Sequence, residues 1–188
     1  MIHAKALFNQ QRYDEVKTLL ERAVYEQGVV HADVYYLCGE ANRRLKHLLL
    51  AEQMLLKCLS FEFHSPFTYA SLGFLYRDLG NSARACALFK RALDQKAGQS
   101  ALVAFELAKL IAAQGLVTES LVYFTKAYEI LLADPLVRSG ESVKQLSEIL
   151  MHRSCAYEAL GLTEMCTKDM RLICQVDPGF RLRYHEES

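Results

Sequence analysis

The sequence has no tryptophan and only three prolines in 188 residues. The scarcity of proline leaves room for long helices, since proline is the strongest helix breaker. Charge of one sign is also missing: Lys and Arg number 22, and so do Asp and Glu. No net field therefore draws the whole chain to nucleic acid or to a membrane surface. Long apolar runs are absent too. The most apolar window, "SALVAFELAKLIAAQG", is interrupted by Glu106 and Lys109 and is too short to span a bilayer. The start "MIHAKALFNQQRY" has no apolar run behind a basic stretch, so no secretory signal is expected. The expectation is a soluble, intracellular protein.

Six cysteines are present, yet none forms a C-x-x-C pair and no His-x3-His accompanies them. Neither a metal nor another cofactor is expected. The thiols of Cys38, Cys58, Cys86, Cys155, Cys166 and Cys174 read as small buried hydrophobes in a reducing compartment. Catalytic signatures are missing as well: no G-x-S-x-G, H-E-x-x-H, G-x-x-x-x-G-K-[ST] or G-x-G-x-x-G occurs. Cys155 with His152 three residues earlier is the nearest approach to a Cys–His pair, and no third group orients it. The chain reads as a non-enzyme.

What is present is helical periodicity. Apolar residues recur at intervals of three and four, as in Leu45, Leu48, Leu49, Ala51, Leu55, Leu56 and Leu59, and strand-type alternation is absent. Self-comparison then aligns Gly39, Gly73, Ala108 and Ser154. Twelve residues after each stands a small residue: Ala51, Ala85, Ser120 and Cys166. Four further on comes a large one: Leu55, Phe89, Phe124 and Met170. Three beyond those stand Cys58, Ala92, Ala127 and Ile173. Gly80, Gly115 and Gly161 mark turns in three of the units.

This pattern resembles the tetratricopeptide repeat, W-x2-L-G-x2-Y followed by A-x3-F, A and P. The stretch "YASLGFLYRDLGNSARACALFKRAL" matches best, through Tyr69, Leu72, Gly73, Tyr76, Ala85, Phe89 and Ala92. The resemblance implies an all-α right-handed superhelix of antiparallel helix pairs over residues 1–178. Repeats are expected at 1–29 (partial, with Val16, Leu20 and Ala23 in its second helix), 32–64, 66–98, 101–132 and 147–178. An insertion fills 133–146, and residues 179–188 form a tail. Asn42 departs from the family, where tyrosine is usual. Small residues where two helices cross permit their close approach, about 8–10 Å between axes.

In the resembled family the first helix of each pair lines a concave face. Its inward positions fall on Tyr36, Glu40 and Arg43, then on Phe67, Ala70, Phe74 and Arg77. They continue with Leu102, Phe105, Lys109 and Ala112, and with Glu148, Met151, Cys155 and Glu158. Phe74 directly follows Gly73, and a helix advances about 100° per residue, so it lies off the crossing. Either these aromatics form a second apolar seam or they form a binding surface. The binding reading gives a peptide site of Tyr36, Glu40, Arg43, Phe67, Phe74, Arg77, Phe105 and Lys109, suited to apolar anchors with acidic residues. The family's clamp for chaperone tails is not expected, because its lysine and asparagine slots hold Tyr36 and Glu40, Ala70 and Phe74, and Phe105 and Lys109.

The sequence thus points to a non-catalytic adaptor or scaffold subunit that binds a peptide or helix. A chaperone for apolar client segments is the alternative. RNA binding, through Arg43, Arg44, Lys46 and His47 or the closing "RLRYH", is the least favoured reading. The fifth repeat lacks a capping helix and is expected to expose Met170 and Ile173. That would make the chain part of a longer protein, or let this end dock on another subunit.

Overall fold

The computed structural model describes residues 1–26, 28, 31–61, 65–95, 100–133 and 140–180. Among these residues it holds ten α-helices and no strand. The chain divides into two compact units, Met1–Gly98 and Gln99–Ser188. The first unit contains α1 (Ile2–Asn9), α2 (Tyr13–Tyr25), α3 (Ala32–Arg44), α4 (Leu48–Leu59), α5 (Pro66–Asp78) and α6 (Ser82–Leu93). The second contains α7 (Ala101–Ala113), α8 (Val117–Leu132), α9 (Gly140–Ala159) and α10 (Thr163–Val176). Each odd-numbered helix packs on the even-numbered one that follows it. Helix α1 has 8 residues against 13 in α3.

All five pairs turn in the same way. The amides of Arg12, His47, Asn81, Leu116 and Leu162 donate to the carbonyls of Leu7, Asn42, Tyr76, Ile111 and Tyr157. The residue before each donor has a positive φ: Gln11 (60°), Lys46 (63°), Gly80 (76°), Gly115 (78°) and Gly161 (72°). This is the helix-ending geometry in which an amide reaches back five residues. Glycine marks three of the five turns in sequence; the other two are made by Gln11 and Lys46, at some cost in backbone strain.

The aligned small and large positions meet inside the pairs. A Cβ built on Gly73 would lie 2.5 Å from Cδ1 and Cε1 of Phe89, and one on Gly39 would lie 2.7 Å from Cγ of Leu55. The small residue of the first helix therefore receives the large residue of the second. Leu55, Phe89 and Phe124 are almost wholly buried, as are Ala51, Ala85 and Ser120. Asn42 is also wholly buried. Its amide donates to the Cys38 carbonyl at 3.0 Å, while its Oδ1 has no partner among the described residues.

Three expectations need correction. Ile173 is 1% exposed and Met170 is half-buried, so the last repeat does not open its apolar face through them. They occupy the stripe of α10 that packs on α9, where Ser154 Oγ donates to Met170 Sδ at 3.6 Å. The cysteines divide: Cys38 and Cys58 are buried, but Cys155 and Cys174 are exposed. Finally, α9 begins at Gly140, so residues 140–146 of the expected insertion extend a helix, and Leu146 is buried. Asp134, Pro135, Ser139 and the basic stretch "RLRYH" lie outside the described residues. Among the described residues no helix is long and apolar enough to cross a membrane.

Candidate functional site

In the first unit, the beginnings of α3 and α5 are set by their caps. His31 has an extended backbone and its Nδ1 accepts from the Asp33 amide at 3.2 Å, which starts α3. Ser65 precedes Pro66, a residue suited to the first helical position, which starts α5. Between these helix starts and Lys5 of α1 lies a cavity of about 560 Å³. Its walls include Tyr36, Leu37, Phe61, Phe67 and Thr68. Phe67 is 56% exposed at its rim. Tyr36 is half-buried, and burial is the main cause that pushes its phenol pKa up, against the pull of the nearby Ser71 side chain.

The deeper part of the cavity is chemically quiet. Cys58 Sγ donates to the Ala32 carbonyl at 3.4 Å and lies 3.4 Å from Thr68 Oγ1. Burial pushes this thiol up, against the pull of Thr68, so it is held protonated and unreactive. The Cys38 thiol, in the neighbouring core, is pushed up to about 11, chiefly by burial.

Towards the other ends of α3 and α5 the surface becomes ionic. Glu40 accepts from Arg43 Nε at 2.5 Å and Nη2 at 3.1 Å, and Arg44 Nε lies 3.8 Å away. Asp78 accepts from Arg77 Nη2 at 2.7 Å and from Lys46 Nζ at 3.3 Å, with Arg43 Nη1 at 3.7 Å. Burial pushes the Asp78 pKa up, but the hydrogen bonds and charges of Arg77 and Lys46 outweigh it and hold the carboxyl below its ordinary value. Both guanidiniums lie against the Phe74 ring, Arg43 at 5.4 Å and Arg77 at 5.1 Å from its centroid. The ring in turn meets Phe89 edge-on at 5.0 Å.

The expected site residues therefore fall into different surroundings. Tyr36, Phe67, Phe74 and Arg77 reach the surface of the first unit. Glu40 and Arg43 do not act as open contacts: they are 5% and 7% exposed and are turned toward each other. Phe105, in the second unit, is 3% exposed. It packs on Phe124 at 6.0 Å and on His152 of α9 at 5.2 Å, so it is core rather than surface. Lys109 is half-buried, with its Nζ 2.8 Å from Glu106 and 5.0 Å from the Phe105 ring centroid. His152 stacks on Phe124 at 5.9 Å while Cys155 is exposed, so the imidazole faces the aromatic core rather than serving the thiol. Among the described residues, no group of three or more His, Cys, Asp or Glu side chains is placed to hold a metal ion.

Sequence reasoning missed Lys5, His31 and Phe61 as cavity residues, and Asp78 as the centre of the ionic cluster. Asp78 had a signal, since it closes a helix beside Arg77 and lies on the same stripe as Ser71. Phe61 had none, because it follows the end of α4 and reaches its place through a ring contact with Tyr35 at 5.7 Å.

Residues 68–98 match the family model described as Tetratricopeptide repeat. No curated protein matches the chain in sequence. Similar solved structures include YrrB, described as a TPR protein with an unusual peptide-binding site: TM-score 0.70, 16% identity, over 98% of this chain and 88% of that one. MamA superposes with a TM-score of 0.75 at 13% identity, over 95% and 96% of the two chains. PilF of Pseudomonas aeruginosa gives 0.75 at 14% identity, over 98% and 79%. At these identities the likeness is one of fold: an all-helical α-solenoid class.

Proposed function

Starting from a chain that carries a tetratricopeptide repeat in residues 68–98 and has the fold of such proteins, we propose a non-catalytic protein-interaction module. Its partner segment lies along the α3/α5 face of the first unit, as an adaptor or scaffold subunit would hold it. The observation that carries this reading is the cavity of about 560 Å³ beside Tyr36, with the Phe67 ring exposed at its rim. A concave, mostly apolar pocket with an aromatic at its edge accepts one large side chain of a partner. The peptide-binding site named for YrrB lends the reading support by analogy of fold alone.

The test is quantitative affinity capture with three baits: the wild-type chain, Phe67→Glu, and Val122→Glu as a control on an exposed residue of the second unit. Circular dichroism first establishes that all three fold. The expected result is a protein retained by wild type and the control and lost by Phe67→Glu. The same retained set on all three baits overturns the assignment of this face.

A further inference from the structure

Resting on that reading of the α3/α5 face, we propose that the partner is an acidic extended segment held at two points. One large apolar side chain enters the cavity beside Tyr36 and Phe67. An acidic side chain about four or five residues away meets the cationic end of the same face.

Both points lie on one stripe. Tyr36, Glu40 and Arg43 follow one another at helical spacing on α3, as do Phe67, Phe74 and Arg77 on α5. The two stripes face each other, because Tyr36 and Phe67 line the same cavity and Arg43 reaches over the Phe74 ring towards Asp78. From Phe67 to Arg77 the helix rises about 15 Å, at roughly 1.5 Å per residue. An extended chain gains about 3.3 Å per residue, so it covers that length in about four or five residues.

Charge decides which end takes the acidic group. Among the described residues that line the cavity, Lys5 and Asp33 pair with each other at 3.5 Å and balance in charge. At the far end each carboxylate is shared among several cations, Glu40 between Arg43 and Arg44, and Asp78 among Arg43, Lys46 and Arg77. The side chains of Arg44 and Lys46 are 51% and 72% exposed, so their cationic heads are reachable from solvent. A basic partner segment is repelled at this end, and an acidic one is attracted and placed in register.

The experiment uses the full chain and a series of fluorescein-labelled peptides with amidated C-termini. Each carries one Phe and an Asp-Asp pair, separated by increasing lengths of Gly-Ser, and binding is read by fluorescence anisotropy. Affinity is expected to peak when the acidic pair stands about four or five residues from the Phe. Replacing Asp-Asp by Lys-Lys at that spacing is expected to cost about tenfold or more. The exposed double variant Arg44→Gln, Lys46→Gln is expected to flatten the spacing profile, and Phe67→Glu to abolish binding.

A flat profile that still depends on Phe67 overturns the two-point proposal and leaves the interaction reading standing. Peptide binding indifferent to Phe67, or no binding by any peptide, overturns both. Preference for oligouridylate over every peptide assigns the face to nucleic acid instead. Self-association that is abolished by Phe67→Glu in sedimentation velocity assigns it to a second copy of the chain, and either result overturns the acidic-peptide proposal.

Discussion

In the first unit Phe74 stands half-buried with two guanidiniums against its ring, whereas in the second unit Phe105, also on the inward stripe of its helix, is buried under His152 of α9. The ion pairs differ in the same way. Glu40 and Arg43 belong to one helix and share their neighbourhood with Asp78. Arg153 and Asp169 join α9 to α10 through two bonds of 2.7 Å, with the guanidinium 4.2 Å from the Tyr128 ring centroid. An inward motif position thus has no fixed exposure. What the neighbouring helix brings to it makes it either surface or core.

The strongest way to break this comparison is to remove one carboxylate from each unit. Asp169→Ala leaves Arg153 buried without its anion and is expected to cost about 3–5 kcal/mol in urea denaturation. Glu40→Ala is expected to cost less, about 1–3 kcal/mol, because Arg43 keeps Asp78 within 3.7 Å. Equal losses would mean that the two clusters are energetically alike and that the contrast drawn here is only geometric.

The aromatic side chains give the next test. Phe105→Ala is expected to destabilise by about 3–5 kcal/mol, as for a buried ring. Phe67→Ala is expected to stay within about 0.5 kcal/mol, as for an exposed one. Comparable melting temperatures for the two variants would contradict the burial assigned to Phe105.

The small positions where both units agree come third. Ala85→Phe and Ser120→Phe each force a ring into a filled pair and are expected to cost about 1–3 kcal/mol. A melting temperature unchanged by either substitution would disprove the shared register at that position.

The smallest effect is a pH dependence confined to the second unit. Burial is the first cause that depresses the His152 pKa below 6.5, followed by the charge of Lys109, with Glu106 pulling the other way. A depressed pKa means that the unfolded chain takes up the proton first. Stability is therefore constant above the unfolded value and falls as pH drops from about 6.5 toward the lower folded value. His152→Phe is expected to remove that slope between pH 7 and pH 5, as read by thermal melts across the range. An unchanged slope would place the titrating group elsewhere.

Much of the repeat architecture was legible in the residues. Gly39 and Gly73 lie where helices cross, with Leu55 and Phe89 against them, and Ala108, Ser154 and Phe124 are buried at the matching positions. Small and large residues at helical spacing leave a trace in one dimension, since each partner sits at a constant offset within its own pair. The turns were legible where glycine marks them and silent at Gln11 and Lys46, where a non-glycine residue adopts the same positive φ. The candidate site was legible in part. Tyr36, Phe67, Phe74 and Arg77 were marked by register, but Lys5, Phe61 and Asp78 enter from other stretches of the chain.

The sequence by itself determined the periodic element, the pairing of neighbouring helices and the small-to-large fit within each pair. All of these depend on contacts between residues about 16 positions apart at a constant spacing. Tertiary structure alone decided that Asp78 joins Glu40 beside Arg43, that His152 covers Phe105, and that a cavity opens beside Tyr36. Burial and charge at such points are sums over side chains from several helices, and no local spacing records that sum.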